Sequence, residues 1–422
     1  MPLAAVNVMS KTPIRIAALG CALLMAGLTW VSSRAGLASF HAARAARETS
    51  ETDIEKALAL NSSDADSHVL RGAMFEVTDD PAAAVRQYER AIALRPRDYV
   101  LWLMFARGCE LNGEREKAIA AARTAVPLAP FYAQPHWQLG NLLMRDGQTV
   151  EGFKELRLAS SINSDFLGPI IDLAWHFSNG DVQFVIRTLN PQEPAGYQAL
   201  ASYFRKRGQI AAATWMYEAA GDVALKDRQA YVGELISTKH FKEAYALWNY
   251  GPAANSNNAL GAIIDAGFEE EPQFNEQGFG WHGNNKLPSV TLSLDPANPR
   301  EGRSSLQVNF NGDSDAAAPI ISQLVLIEPK TNYQLHFYYR AEAIVSGGLP
   351  RISVLDAGDN QVLGQSGALT QATTGWLDAS INFVSGASTE ALQISLQRER
   401  CPEGPCPIFG RLWLDGFSLQ KR

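Results

Sequence analysis

The spacing of apolar residues changes twice along this chain, and each change predicts a different kind of element. An unbroken apolar run occupies 16–31, reading IAALGCALLMAGLTWV, and predicts a helix that is apolar on every side. From about 40 to 250 large apolar residues recur at three- and four-residue steps, the period of amphipathic helices. Residues 249–261 (NYGPAANSNNALG) are rich in Pro, Gly and Asn and read as a connection. Beyond them the period drops to two. Segments 305–310, 333–340, 351–355, 376–384, 392–397 and 411–419 alternate apolar with polar residues and read as short strands of an antiparallel sandwich.

Within the helical part the small residues fall into columns 34 residues apart. Gly72, Ala106 and Gly140 form one, Ala84, Ala118 and Gly152 a second, and Ala91, Ala125 and Ala159 a third. Pro96 and Pro130 close two of the units, with Ser164 in the third. Small residues let two helices approach closely, and proline lacks the N–H that would continue a helix. Phe75, Tyr88, Trp102, Leu139 and Leu156 supply the large apolar partners. This pattern resembles the tetratricopeptide repeat. A looser hairpin is expected over 167–189, a fourth unit around Leu200, Phe204, Ala213 and Tyr217, and a last hairpin around Leu235, Phe241, Ala244 and Trp248.

Four pieces of the alternating region carry a second resemblance, covering about 264–422. They are Gly267-Phe268-Glu269 with Trp281, Gly302–Val308 (GRSSLQV), Thr331–Phe337 (TNYQLHF) and Leu412–Leu419 (LWLDGFSL). In this order they resemble the jelly-roll carbohydrate-binding modules attached to glycan-degrading enzymes. The expected fold class is therefore multidomain α plus β: an N-terminal membrane helix, an α-helical tetratricopeptide solenoid and a C-terminal antiparallel jelly roll. The expected divisions are 1–35 for the anchor or signal, 40–250 for the solenoid, 251–262 for the linker and 263–422 for the sandwich.

Composition narrows the function classes. At 422 residues the length prior is about two or three domains. A formal net charge of −7 without a basic stripe leaves nothing to neutralise phosphates, so no nucleic-acid partner is expected. The chain carries no G-x-S-x-G, no phosphate-cradling glycine loop and no H-E-x-x-H. No catalytic residue is assigned, and the chain is expected not to be an enzyme.

The chemistry-bearing candidates fall in four groups. The tetratricopeptide resemblance implies that the first helix of each hairpin lines a concave face, where the matching positions include Arg107, Glu110, Trp137, Asn141 and Arg145. An aromatic anchor beside polar clamps suits a protein partner, although Trp137 packed into the next repeat is the alternative. In the sandwich, alternation puts Gln334, His336, Tyr338 and Arg340 on one face, with Arg351, Ser353, Gln393, Ser395 and Gln397 on like positions of other strands. His336, Tyr338, Arg340, Arg351 and Gln393, lying side by side, would form a polar and aromatic stripe for a polysaccharide; a solvated outer face is the bland alternative. Trp281, Trp376 and Trp413 are assigned to the core. The carbohydrate-binding resemblance implies a structural calcium held by Glu269, Asp415 and the carbonyl of Arg303, with Gly416 standing where a second acid is common. No other cofactor is expected.

Cys401 and Cys406 flank a Pro- and Gly-containing tetrapeptide. They read as a disulfide in an oxidising compartment, with free thiols or half a metal site as alternatives. The apolar run at 16–31 is somewhat short for a hydrocarbon core, so a membrane anchor and a cleaved signal both stand. Charges on its two sides do not settle orientation. The cysteine pair favours a single-pass inner-membrane protein with the bulk of the chain periplasmic. The combined expectation is a non-enzymatic envelope scaffold acting in assembly, export or retention of a cell-surface polysaccharide. A pure protein–protein scaffold with a structural sandwich is the runner-up, and a glycan-active enzyme comes third.

Overall fold

The first hairpin is made by α1 (Thr12–Glu48) and α2 (Glu51–Leu60). The structure, a computed structural model, describes residues 12–250, 260–274, 277–313, 318–369, 375–401 and 405–422, with side chains from Ala18 onward. The apolar run and the helix expected from about residue 40 are thus one continuous α1. The large side chains of its first part, from Leu19 to Val31, are exposed, whereas Ala38 is buried and Ala45, near its end, is buried in a cluster with Ile54 and Ala57 of α2. Among the described residues α1 is a helix long and apolar enough to cross a membrane, by length and composition.

Six further hairpins follow: α3 (Ala65–Val77) with α4 (Pro81–Leu94), α5 (Tyr99–Leu111) with α6 (Arg115–Leu128), and α7 (Ala133–Arg145) with α8 (Thr149–Ile162) are the three clear repeats. α9 (Leu167–Phe177) with α10 (Val182–Leu189), α11 (Pro194–Lys206) with α12 (Ile210–Ala220), and α13 (Leu225–Ser237) with α14 (Phe241–Trp248) are the looser ones. The helices start where the sequence offers caps. Asp64 accepts from the Ser67 N–H at 3.0 Å and Asp80 from Ala83 at 2.9 Å, the latter with Pro81 in the first turn.

The small-residue columns lie where the helices of a hairpin touch. Ala84, Ala91, Ala106, Ala118, Ala125 and Ala159 are fully buried. A Cβ on Gly72 would stand 2.6 Å from Tyr88 Cε1, and one on Gly140 2.7 Å from Leu156 Cγ. A further column appears in the turns. Asp79, Gly113 and Gly147 all have positive φ (61°, 77° and 81°), reversing the chain between the two helices of each unit.

The alternating region forms two five-stranded antiparallel sheets. The strands are β1 (His282–Gly283), β2 (Val290–Asp295), β3 (Ser305–Asp313), β4 (Ile321–Leu326), β5 (Asn332–Ser346), β6 (Pro350–Asp356), β7 (Val362–Gln365), β8 (Leu377–Val384), β9 (Ala391–Arg398) and β10 (Pro407–Lys421). One sheet runs β1-β4-β9-β6-β7 and the other β2-β3-β10-β5-β8. From β3 to β10 the eight strands divide as 3-10-5-8 and 4-9-6-7, the jelly-roll order. Leu335 and Phe337 of one sheet and Ile352, Val354, Leu392, Ile394 and Leu396 of the other fill a shared core. Phe268, Trp281 and Phe417 add an aromatic cluster with ring centroids 4.8–5.8 Å apart.

The chain separates into two compact units, one up to Asn190 and one from Pro191. The helices α11–α14 therefore group with the sandwich, whereas the expected division lay in 251–262, of which 251–259 fall outside the described residues. Within the second unit, Phe279 packs on Tyr245 and Trp248 of α14 (4.9 and 5.7 Å between rings), and Lys242 pairs with Glu390 at 2.8 Å.

Candidate functional sites on the repeat helices and the sandwich

Successive first helices carry a ladder of ion pairs. Arg107 of α5 meets Glu76 of α3 at 3.3 Å, and Arg145 of α7 meets Glu110 of α5 at 2.6 Å. Both arginines remain more than half exposed, so each guanidinium has donors left for a ligand. Trp137 is half-buried and stacks on Phe166, in the short 3-10 turn before α9, at 4.7 Å and 24°. Asn141 donates to the Trp137 carbonyl at 2.8 Å. Arg107, Glu110 and Arg145 thus share one polar face, while Trp137 packs on the next element. Glu76 and Phe166, the partners of two of these residues, were not singled out by the sequence pattern. Glu76 could have been sought near Tyr88, whose hydroxyl donates to it at 3.1 Å.

The polar stripe expected on the sandwich is divided between the two sheets. His336, Tyr338 and Arg340 lie on β5, whose neighbours are β10 and β8. Arg351 and Gln393 lie on β6 and β9 of the other sheet, opposite Gln397 and Leu355 respectively. The five do not lie side by side. The assignment of faces along each strand holds, but strands adjacent in sequence here cross between sheets.

On β5 the three remaining residues meet groups from elsewhere. The His336 and Tyr338 rings are edge to face at 4.8 Å, and the Arg300 guanidinium sits 4.5 Å over the Tyr338 ring. The Arg340 guanidinium lies 4.0 Å over Trp413. Trp413 is buried, as expected, yet it pairs with Arg340 and Gln307 on the outer face rather than in the shared core, and its Nε1–H donates to Asp295 at 2.6 Å. Trp376 is half-buried and donates to the Asn298 carbonyl at 3.2 Å, while Trp281 is in the core. Residues 295–300 therefore fold over this face, a long-range contact that strand alternation does not encode.

Glu269 and Asp415, near opposite ends of the sandwich sequence, converge on the 300–303 loop. Glu269 accepts from the Arg303 N–H at 2.9 Å; fully buried Asp415 accepts from Arg300, Glu301 and Gly416 N–H groups at 2.7, 3.1 and 2.7 Å. Burial raises the Asp415 carboxyl above the usual carboxylate range, the N–H donors opposing. A Cβ on Gly267 would stand in ordinary van der Waals contact, 3.6 Å from an oxygen of each carboxylate, so one oxygen of each lies near the same point. Two carboxylates on one point fit a hard divalent cation.

Cys401 and Cys406 form a disulfide with Cα atoms 5.6 Å apart. The Arg398 guanidinium is buried beside it, 3.3 Å from Cys406 Sγ and 3.2 Å from the Gly348 carbonyl. Cys109, in the core of the second repeat, keeps a free thiol that burial pushes up to about 11.

No family model and no curated protein matches this chain. Solved structures with similar folds include Pseudomonas aeruginosa PilF, 16% identical over 48% of this chain and 98% of that one, at a TM-score of 0.32. MamA of Desulfovibrio magneticus RS-1 is 14% identical over 37% and 94%, at 0.33. YrrB, described as a TPR protein with an unusual peptide-binding site, is 16% identical over 38% and 86%, at 0.30. At such TM-scores the likenesses carry no argument, and the repeat fold stands on the chain's own columns and hairpins.

Proposed function

We propose that this chain is a non-enzymatic, membrane-anchored scaffold of the cell envelope, whose repeat helices hold a protein partner and whose sandwich contacts a cell-surface polysaccharide. The observation that supports it most is the ladder Glu76–Arg107 and Glu110–Arg145, which holds two half-exposed guanidiniums on one face of the repeats. Helical-hairpin solenoids use such extended faces for peptides and proteins. In this reading α1 holds the repeats at the inner membrane and the bulk of the chain is periplasmic. His336, Tyr338 and Arg340 are the glycan candidates on β5.

A cation in the space beside Gly267 belongs to the same proposal. Glu269 and Asp415 would hold a calcium, with the Arg303 carbonyl, and it would supply charge neutralisation that ties the two ends of the sandwich together. Added calcium should raise the melting temperature of the wild type and leave Glu269→Gln unmoved; equal shifts in both would remove the site.

The partner role is tested by affinity capture with the full detergent-solubilised chain. A protein held by wild type and lost from Arg107→Ala/Arg145→Ala, with helical content unchanged, supports the face; equal retention by both refutes it. A second reading, a pure protein scaffold with a structural sandwich, is favoured by the guanidiniums of Arg300 and Arg340, which already cover the Tyr338 and Trp413 rings. Absence of glycan binding by the full detergent-solubilised chain would favour it.

A further inference from the structure

We propose that the cleft between the α13–α14 hairpin and the outer face of the β1-β4-β9-β6-β7 sheet is a binding site for a neutral sugar. This rests on the glycan-contacting reading above and places the contact elsewhere in the same unit. The cleft has a volume of about 440 Å³, within the range of about 300–1,000 Å³ common for small-molecule sites. Gly233, Ile236, Ser237 and Phe241 form its helical wall. His282, Ser322, Leu324 and Gln393 form the sheet wall, and Gln277 closes one side.

The lining contains no Asp, Glu, Lys or Arg side chain. A phosphate or a uronate would find no countercharge there, and a wholly apolar ligand would leave the amides without partners. Three of the polar lining residues are already engaged: Ser237 donates to the Glu234 carbonyl at 2.7 Å, His282 Nδ1 pairs with the Gly280 carbonyl at 2.6 Å, and the Gln323 amide donates to the Ile264 carbonyl at 2.8 Å. Gln277, Ser322 and Gln393 make no side-chain hydrogen bond among the described residues, so two carboxamides and a hydroxyl face the cavity with donors and acceptors unspent. Paired amide donors and acceptors match the adjacent hydroxyls of a sugar ring. Ile236, Phe241 and Leu324 offer apolar surface to its C–H face.

The sheet wall of the cleft is one end of a polar row. His282, Ser322, Ser395, Ser353 and Gln365 pair in register across all five strands, a polar row with three serines at its centre. Ser395 and Ser353 are fully buried, so His282 and Ser322 are the members of this row that reach the cleft, beside Leu324 and Gln393 of the neighbouring row. The Ser395 hydroxyl, one strand in from Ser322, is buried and has no partner among the described residues.

The test titrates the full chain, in a detergent without a sugar headgroup, with glucose, galactose, N-acetylglucosamine and their β-1,4-linked disaccharides. Galacturonate is the charged control. Saturation-transfer NMR reads binding. Trp248, packed over Gly278 beside the cleft, gives a fluorescence signal. At least one neutral sugar should bind and galacturonate should not. Gln393→Ala should weaken binding about tenfold, the loss of one good polar contact, and Gln393→Glu should weaken it while keeping the side chain's size; Glu342→Gln, exposed on the other sheet, should leave it unchanged. Equal binding by wild type and both Gln393 variants overturns the site. If Tyr338→Ala alone abolishes binding, the glycan reading stands and this location is wrong. If no sugar binds the wild type, both fail.

Discussion

Asp53 and Asp415 are both buried carboxylates, and their surroundings push them in opposite directions. The His41 ring, 2.8 Å away, holds Asp53 below its usual range against the effect of burial. Its contribution is therefore present above the unfolded value of about 3.9 and is lost as pH falls through the lower folded value. Asp53→Asn should reduce the urea midpoint of the protein at pH 7, and the difference from wild type should vanish in strong acid. Asp415 is raised, chiefly by burial. Its contribution is present below the unfolded value and lost as pH rises through the folded one, so this group alone makes the sandwich favour mild acid. A pH–stability profile of Asp415→Asn should lack that rise. Cys109, raised to about 11, stays a protonated thiol near pH 8; peptide mapping, which separates it from the exposed free thiol of Cys21, should find iodoacetamide on Cys109 only after unfolding, and labelling of Cys109 in the native protein would contradict its burial. At this scale the sequence was most informative where one residue type has one use. The faces of β5 followed from alternation, but the arginines covering its rings come from a loop that alternation does not place.

Among the elements, the small-residue columns read from the 34-residue period are contacts between helices. In an exposed helix Gly→Ala stabilises by about 1 kcal/mol. Gly72→Ala and Gly140→Ala should instead destabilise by about 1–3 kcal/mol, because the added methyl meets Tyr88 or Leu156. Thermal melts of the two variants check the sign, and an increase would show that the hairpins can part. The turn column was only partly legible: Gly113 and Gly147 announce a left-handed residue, whereas Asp79 at the matching place does not. Six strands were recognised from alternation, while β1, β2, β4 and β7 were not. β1 is two residues long and β7 four, and β4, reading ISQLVL, carries a buried Gln323 whose amide donates to the Ile264 carbonyl at 2.8 Å. Which strands pair was hidden for a further reason. Jelly-roll partners such as β3 and β10 lie about a hundred residues apart, and local periodicity holds no record of pairings at that distance.

For the molecule as a whole, the grouping of α11–α14 with the sandwich has a measurable consequence. A fragment of 263–422 would strip Tyr245 and Trp248 from Phe279, which is 1% exposed in the intact chain. Uncovering such a ring costs about 1.5–3 kcal/mol. The 191–422 fragment should therefore melt at the higher temperature by differential scanning calorimetry, and equal melting of the two would show that α11–α14 add nothing to the sandwich. Composition changes sharply at 251–262, which is why the sequence suggested a boundary there, but composition does not report which surfaces are packed. The unbroken α1 has a mechanical consequence of its own. A helix advances 1.5 Å and turns about 100° per residue, so α1 acts as a shaft about 55 Å long that sets the heading of the first hairpin about its axis. One residue inserted at Gly36 would swing that heading by about a quarter turn, while seven would bring it almost back. Partner capture plotted against insertion length should rise and fall with the helical pitch, as it would not if a slack tether joined the two.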